Sequence, residues 1–323
     1  MNPIVSTDAL PSLPYTTGAM LLGLALVCVA AVSWGTTGSV MSLLAMDGAP
    51  SPLLVGWARM AGAAPCLLLA TCFLRPGITS FGRGSSLAGP WTRIEWAKAA
   101  MLGLAMAAYQ LCYFWAVPRT GVALTALLAI CSAPIMITAG AALTLKERPA
   151  RSTLVALLLA VVGAAMVLVG PRAAEGRPRD FAAGAVAAVG AGLSYAVYAV
   201  TAKGLLYRAA PLPLAAVTFS LAALLLTPAL VVESNVAAQL AAGWPLLVYL
   251  GLVPTAAAYV IFGAGLRRVT VTAAGIATLL EPLTASALGV LVFGERLSAM
   301  GWAGAALLLG ALALLTRSPS GRQ

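Results

Sequence analysis

The chain contains no histidine and few charged residues, and these two shortages exclude several classes of protein. Without histidine, it can form neither a histidine-based metal site nor a histidine-dependent catalytic triad. Only 9% of its 323 residues are charged, whereas 61% are hydrophobic. Soluble domains of this length do not have that balance, but membrane proteins with many spans do.

Cofactor motifs are also missing. The chain has no GxxxxGK[ST] motif for binding nucleotide phosphates, so we expect any driving force to be a gradient. The cysteines form no CxxC pair and all lie in apolar runs, so we interpret them as reduced core residues rather than disulfides or metal ligands: Cys28, Cys66, Cys72, Cys112 and Cys131. We therefore predict no cofactor and no metal.

Long apolar runs take the place of these motifs. A helix needs about 20 residues to cross the hydrocarbon core of a bilayer, and ten runs have roughly that length. They cover residues 18–45, 52–74, 96–118, 121–145, 153–170, 181–206, 211–232, 244–266, 269–293 and 300–316. The pattern predicts an all-α membrane protein with ten transmembrane helices, here called spans 1 to 10.

The runs divide into two halves of five spans. We predict a first five-helix repeat over residues 18–170, a loop over 171–180 and a second repeat over 181–316. Residues 1–17 contain no Lys or Arg, unlike a secretory signal, and are expected to form a cytoplasmic tail, as are residues 317–323. Because five is odd, the second half enters the membrane from the opposite side, and the repeats are inverted.

The basic residues indicate the orientation. With the N-terminus inside, thirteen of the nineteen fall in inner loops and the C-terminal tail, five fall in outer loops and Arg59 lies within span 2. This bias predicts that both termini are cytoplasmic. Since the basic residues lie in short loops between apolar runs, the net charge of +10 does not indicate a nucleic-acid partner.

An internal repeat relates spans 4 and 9. Shifting Gly121–Arg148 by 148 positions onto Val269–Arg296 aligns Pro134 with Pro282 and the two Glu-Arg pairs with each other. Proline inside a helix removes a hydrogen bond and frees a carbonyl one turn back. Paired interrupted helices in the two halves of a chain point to a transporter's binding site. We predict that both prolines are hinge points.

These features resemble the drug/metabolite transporter superfamily, in its branch of EamA-domain transporters. The resemblance covers residues 18–316 and rests on residues in this order: Ser33-Trp34-Gly35, Ala58-Arg59, Pro134, Glu147-Arg148, Glu281-Pro282 and Glu295-Arg296. It implies two inverted five-helix EamA-type repeats and a secondary carrier, often an exporter of amino acids, metabolites or drugs from bacteria. The sequence departs from repeat symmetry at Ala133, which takes the place of Glu281, and at Phe219, which takes the place of Arg59.

Two charged residues lie deep within spans. Glu281 is about 12 residues from either end of its run, so it is expected near the bilayer centre, where acids are usually functional. It is a candidate proton-coupling carboxylate, and the alternative is a structural acid bonded to a neighbouring helix. Arg59 could bind a substrate carboxylate or pair with Glu281, but snorkelling to the headgroups is the other interpretation. We expect Lys203 to snorkel and Glu147-Arg148 to fix a loop.

Aromatic residues recur within the spans. Offsetting by 161 positions places Trp34 of span 1 on Tyr195 of span 6, and such rings suit a cavity for flat or amphipathic solutes. Core packing and interfacial positions are the alternatives. The candidate substrate-binding residues are Trp34, Tyr109, Gln110, Tyr113, Ser132, Tyr195, Tyr198 and Tyr259.

Together these patterns predict a secondary transporter of the cell's inner membrane rather than an enzyme. We expect it to export small metabolites such as amino acids by alternating access, through a midplane cavity built from spans 1, 3, 4, 6, 8 and 9. Multidrug or cation export is the alternative within the family, and a channel, a scramblase or a transport-silent assembly protein are alternatives outside it. We expect the bilayer and the solute as partners, with the proton as a candidate coupling ion. Helix faces lined with small residues could serve packing within the chain or the interface of a homodimer.

Overall fold

The protein is all helical in the computed structural model, which describes residues 17–46, 50–73, 91–168, 180–294 and 296–317. Ten helical stretches within these ranges are long and apolar enough to cross a membrane, which confirms the predicted number of spans. The predicted inter-repeat loop and both tails lie almost entirely outside the described residues, as does Glu295.

The helices have the following bounds. In the first half they are Thr17–Met46, Pro52–Phe73, Arg93–Thr120, Val122–Gly140 with the π-helical turn Ala141–Leu145, and Arg151–Leu168. In the second half, span 6 is Phe181–Leu206, and span 7 is Pro211–Leu226 followed by the short helix Ala229–Val232. Span 8 consists of Val236–Gly251, the π-helical turn Leu252–Ala257 and Ala258–Leu266. Span 9 consists of Val271–Ala277 and Leu280–Phe293, and span 10 is Ala299–Arg317.

Span 8 begins eight residues earlier than its apolar run predicted. The helix starts at Val236 instead of residue 244, and its first turn contains the polar side chain of Gln239. That side chain is satisfied locally, because its oxygen accepts from the Ser51 N–H at 2.7 Å and its nitrogen donates to the Ser234 carbonyl at 2.6 Å. A polar residue at the start of a span is therefore compatible with a helix there.

Packing between the spans follows an approximate two-fold symmetry. Span 1 packs on spans 8 and 9, and the corresponding span 6 packs on spans 3 and 4. Spans 2 and 7 pack on each other, as do spans 5 and 10. In each of these pairs the two spans occupy corresponding positions in the two repeats. The two sequence repeats are therefore also structural repeats, and spans 1 and 6 each pack on the repeat to which they do not belong.

The prolines predicted to be hinges differ in structure. Span 9 is interrupted by a turn at Thr278–Leu279, just before Pro282. Because Pro282 has no N–H, it cannot donate to the Thr278 carbonyl one turn back. That carbonyl accepts from the Glu281 N–H at 3.0 Å instead. Span 4 instead continues as an α-helix through Pro134 and changes to a π-helical turn at Ala141. Of the two predicted hinges, only Pro282 adjoins an interruption of the helix.

Spans 4 and 9 end in the same unusual conformation. Lys146 has φ 56° and Gly294, its partner under the 148-residue shift, has φ 67°. The left-handed region suits glycine but is strained for a residue with a side chain. The repeat therefore keeps this turn even where lysine replaces glycine.

Candidate functional site

A cavity of about 490 Å³ lies between the two repeats. Its volume is in the range of small-molecule sites. It extends to the exposed residues Ser42, Pro52 and Val122, which lie at the ends of spans 1, 2 and 4 that share one side of the bundle. The cavity therefore opens at that side. Residues of spans 1, 2, 3, 4, 5, 6, 8 and 9 line it, so spans 2 and 5 join the six predicted.

Glu281 and Arg59, the two charged residues predicted deep in the spans, both line this cavity. Arg59 donates from Nε to the Thr255 hydroxyl at 3.3 Å. No ion pair within 4 Å joins Arg59 to Glu281, and the Glu281 carboxylate accepts no hydrogen bond from any residue that the structure describes. One cavity thus contains a guanidinium group and a carboxyl group that are not in contact with each other.

Aromatic rings form one wall of the cavity. Trp34 lies 4.8 Å from Tyr259 and 6.2 Å from Tyr195, measured between ring centroids. Tyr195 is in turn 6.3 Å from Tyr109, which stacks on Tyr113 at 5.9 Å. Separations of 4.5–7 Å are typical of favourable aromatic pairs. Spans 1, 3, 6 and 8 therefore supply one continuous aromatic surface.

Several buried polar atoms of the lining have no protein partner. Trp34 Nε1, Thr37 Oγ1, Gln110 Nε2 and Tyr195 Oη all lack a hydrogen-bond partner among the described residues. Gln110 is only 2% exposed. A buried donor without a partner costs about 1–3 kcal/mol, so native proteins rarely keep four together without a ligand or water to satisfy them. The lining is suited to a solute that accepts hydrogen bonds.

Two polar residues at the candidate site, Thr255 and Thr37, were not anticipated from the sequence. Thr255 lies in the π-helical turn Leu252–Ala257, where its hydroxyl donates to the Leu250 carbonyl at 2.7 Å and receives Arg59. The signal available was Pro254, an interior proline in span 8, because π-helical turns often occur at functional sites. Thr37 lies one turn after Trp34, so helical spacing could have placed it on the same face.

Three of the predicted site residues lie outside the lining. Tyr198 packs against Tyr259 and Phe262 behind the aromatic wall, with centroids 5.6 Å and 6.5 Å away. Ser132 donates to the Ala129 carbonyl at 3.3 Å and faces Gly192 of span 6, where the absence of a side chain makes room for it. Pro134 is buried beside the lining residue Ala133. These residues pack the cavity walls instead of facing the solute space.

The prediction that Lys203 snorkels was wrong. Its side chain is only 1% exposed, and its ammonium donates to the carbonyls of Leu266 and Val269 at 2.7 Å each. Lys203 lies near the end of span 6, and these carbonyls belong to the end of span 8 and the connection after it, so partners were closer than the headgroups. Sequence alone does not show that adjacency.

Comparisons with known proteins agree with this architecture. The EamA-like transporter family matches residues 21–169 and 182–317, one match in each repeat. An uncharacterized transporter, YwfM, of Bacillus subtilis (strain 168) is 35% identical over 300 residues, covering 91% of this chain and 93% of that protein. An uncharacterized transporter of Archaeoglobus fulgidus is 31% identical over 205 residues, 64% of this chain and 71% of that one.

The fold has also been seen in a crystal structure. That structure has a TM-score of 0.73 and 21% sequence identity, and the similarity covers 92% of this chain and 96% of the other. At this identity the likeness concerns the fold alone. Taken with the ten spans and the family match over both halves, it shows a multi-pass membrane protein: the chain belongs to the EamA-like transporter family, within the drug/metabolite transporters.

Proposed function

We propose that this protein exports small zwitterionic metabolites, with amino acids as the substrate class, across the inner membrane. The observation that carries the proposal is the placement of Arg59 and Glu281 in one cavity without an ion pair between them. Charges within membrane spans are costly and are usually paired or face a water-filled cavity. A zwitterion supplies a carboxylate for Arg59 and an ammonium for Glu281 at once.

The rest of the lining supports the same class. Gln110 Nε2 and Trp34 Nε1 add donors suited to a carboxylate. The rings of Trp34, Tyr195 and Tyr259 offer an apolar surface for a side chain. A volume of about 490 Å³ accommodates a small solute with its remaining water. Aromatic walls with a carboxylate also suit organic cations, so cation export is the second candidate.

The mechanism we propose is alternating access. The cavity opens at one side of the bundle, and the repeats would rock about spans 1 and 6 to open it at the other. The turn before Pro282 is a candidate hinge, because helical hydrogen bonding is already interrupted there. Glu281 follows the turn directly, so a change at the hinge would move the carboxylate between two environments. That motion would couple proton binding to transport.

Orientation and direction belong to the same proposal. Basic residues number thirteen against five in favour of cytoplasmic termini, and this would place the mouth of the cavity at Ser42 and Val122 on the outer face. The described state would then be the one that releases exported solute.

Counterflow in proteoliposomes tests the function. Labelled tryptophan, phenylalanine and threonine would be screened with and without a pH gradient, and unlabelled organic cations would be added as competitors. Saturable counterflow of amino acids without a gradient is expected. Absence of amino-acid counterflow, together with counterflow of the same organic cations in labelled form, would replace the zwitterion proposal with the second candidate. Flux without saturation or counterflow would indicate a channel or scramblase.

A Glu281→Gln variant tests the coupling. Gradient-driven accumulation should be lost while counterflow persists, because the amide cannot carry the proton. Glu233→Gln is the matched control, since Glu233 lies in the connection before span 8 and outside the cavity lining. Normal accumulation by Glu281→Gln would show that Glu281 is structural.

A further inference from the structure

Two buried charges lie at the side of the bundle opposite the mouth of the cavity. Glu147, which follows span 4, is 5% exposed, and Lys203 in span 6 is 1% exposed. Neither belongs to the cavity lining. Burying a charge is costly unless it is well paired, so these two residues need a structural or functional explanation.

Glu147 joins the two repeats. Its carboxylate accepts from the backbone N–H of Val271 at 2.9 Å, from that of Thr272 at 3.4 Å and from the Thr272 hydroxyl at 3.2 Å. Val271 begins span 9, and a carboxylate at a helix N-terminus satisfies N–H groups that have no helical partner. The contact therefore fastens the end of a first-repeat helix to the start of a second-repeat helix.

Lys203 holds the other end of the same connection. It donates to the carbonyl of Leu266, the last residue of span 8, and to that of Val269 in the connection that follows. A cation at a helix C-terminus complements the unpaired carbonyls there. The short segment between spans 8 and 9 is thus held by Lys203 through two carbonyls, and Glu147 holds the start of the helix that follows.

The strained turn before Glu147 fits this role. Lys146 is left-handed at φ 56°, and the backbone N–H of Glu147 donates to the Ala141 carbonyl at 3.2 Å. The turn ends the π-helical segment of span 4 and directs the next residue towards span 9. Backbone strain of this kind persists where the surrounding contacts require it.

Among the described residues of the open side, the counterparts of Lys203 and Thr272 differ in chemistry, whereas Glu295, the counterpart of Glu147, lies outside the described residues. The repeat places Ser42 at the position of Lys203 by the 161-residue offset, and Leu124 at the position of Thr272 by the 148-residue shift. Ser42 lines the mouth of the cavity and donates to the Gly38 carbonyl of its own helix at 3.2 Å. The side with Lys203 and Thr272 is closed, and the side with Ser42 and Leu124 at the corresponding positions is open.

We propose that the Glu147 hydrogen bonds to span 9, made to a connection that Lys203 anchors within the second repeat, form an electrostatic lock that keeps the side opposite the mouth closed, and that the carrier must release the Glu147 contacts in each transport cycle. The inference rests on the alternating access proposed above. Rocking of the repeats must part span 4 from span 9 there, and the Glu147 hydrogen bonds cross that boundary. Because the described counterparts of Lys203 and Thr272 cannot make the same contacts, the lock favours the state in which the side opposite to it is open.

A cysteine reporter can measure opening at the locked side. Ile137 of span 4 is 1% exposed, and a Cβ on Gly275 of span 9 would lie 3.1 Å from its side chain. Ile137→Cys, in a chain whose five cysteines are replaced by alanine, would react with a membrane-impermeant maleimide only when spans 4 and 9 part. Ser42→Cys in the same background reports on the mouth. Nanodiscs give the reagent access to both faces.

Glu147→Gln and Lys203→Met should each speed labelling at the Ile137→Cys reporter by about tenfold, since hydrogen bonds to charged groups are lost. Labelling at the Ser42→Cys reporter should fall or stay the same. Arg208→Gln is the matched control, because its ion pair with Glu95 at 2.8 Å is surface-exposed and does not contact span 9. It should leave both rates unchanged.

Two results would overturn the lock. One is an unchanged Ile137→Cys rate in variants that elute and unfold like the parent. The other is a rise at both reporters together, which would indicate general loosening instead of a switch between states. If neither charged variant folds, Thr272→Val removes a single hydroxyl contact and should give a smaller rise at Ile137→Cys alone. Wild-type counterflow tests the transport proposal separately, because it does not depend on the lock.

Discussion

Trp34 and Tyr195 occupy corresponding positions in the two repeats, and their rings meet edge to face with centroids 6.2 Å apart. Both residues line the cavity, and the indole nitrogen and the phenol oxygen both lack a protein partner. The approximate two-fold axis of the fold therefore passes close to a pair of aromatic residues that line the cavity and carry polar atoms without a protein partner.

Tyr195→Phe tests whether the unpaired hydroxyl serves the solute. The variant should raise the KM for transport by about fivefold through loss of one hydrogen bond, and should stabilise the protein by about 1 kcal/mol because a buried unsatisfied group is removed. Saturation kinetics in proteoliposomes and thermal unfolding measure the two effects. Tyr198→Phe is the control, since Tyr198 lies in the same cluster but outside the lining, and an equal rise in its KM would contradict the assignment.

Arg59→Gln tests the carboxylate site. Removing the cation should raise the KM for amino acids by about 10-fold or more, while the affinity for the corresponding amines, which have no carboxylate, should hardly change. Competition against labelled substrate would measure both. Arg93→Gln removes an exposed arginine at the start of span 3 and should be neutral. Equal losses for acids and amines would show that Arg59 supports the structure through Thr255 instead.

Periodicity and length predicted the spans well because the backbone polar groups of an apolar run in lipid must be hydrogen-bonded within the run, and a helix of this length satisfies them. The same argument identified the charged residues within the spans, and Glu281 and Arg59 both line one cavity. The sequence could not indicate which face of a helix meets which neighbour. Tyr198 and Ser132 are residue types that suit a cavity lining, but both lie on helix faces that pack against other helices.

The two prolines show a second limit of sequence patterns. The repeat aligns Pro134 with Pro282, which predicts equivalent breaks, but only span 9 is interrupted. In span 9 the turn at Thr278–Leu279 is stabilised by Thr278, whose hydroxyl donates to the Gly275 carbonyl at 2.8 Å. The residue at the corresponding position of span 4 is Ile130, which has no hydroxyl to support such a turn. A proline permits a break, and its neighbours decide whether it forms.

Gly35→Ala tests how closely spans 1 and 9 approach beside Glu281. A Cβ at Gly35 would lie 2.6 Å from Thr284 Cβ and 2.7 Å from the Glu281 carbonyl oxygen, so span 9 must shift. Overpacking of this kind should lower the free energy of unfolding by about 1–3 kcal/mol. Gly38→Ala, one turn further along span 1, meets nothing within 4 Å and should raise it by about 0.5–1 kcal/mol through helix propensity. Similar thermal shifts for both variants would contradict the close approach.

Gly163 and Gly304 test whether the small-residue faces of spans 5 and 10 serve packing within the chain. A Cβ on Gly163 would lie 2.7 Å from the Gly304 carbonyl oxygen, and one on Gly304 would lie 2.6 Å from that of Gly163. Gly163→Ala should therefore destabilise the monomer by about 1–3 kcal/mol, because backbone cannot give way as a side chain can. Gly310→Ala in span 10 meets nothing within 4 Å and should be neutral or slightly stabilising. Light scattering alongside thermal unfolding separates the two uses of these glycines. If the face packs within the chain, the Gly163→Ala variant should unfold at a lower temperature with an unchanged molecular mass. If the face forms a dimer, the molecular mass should change first.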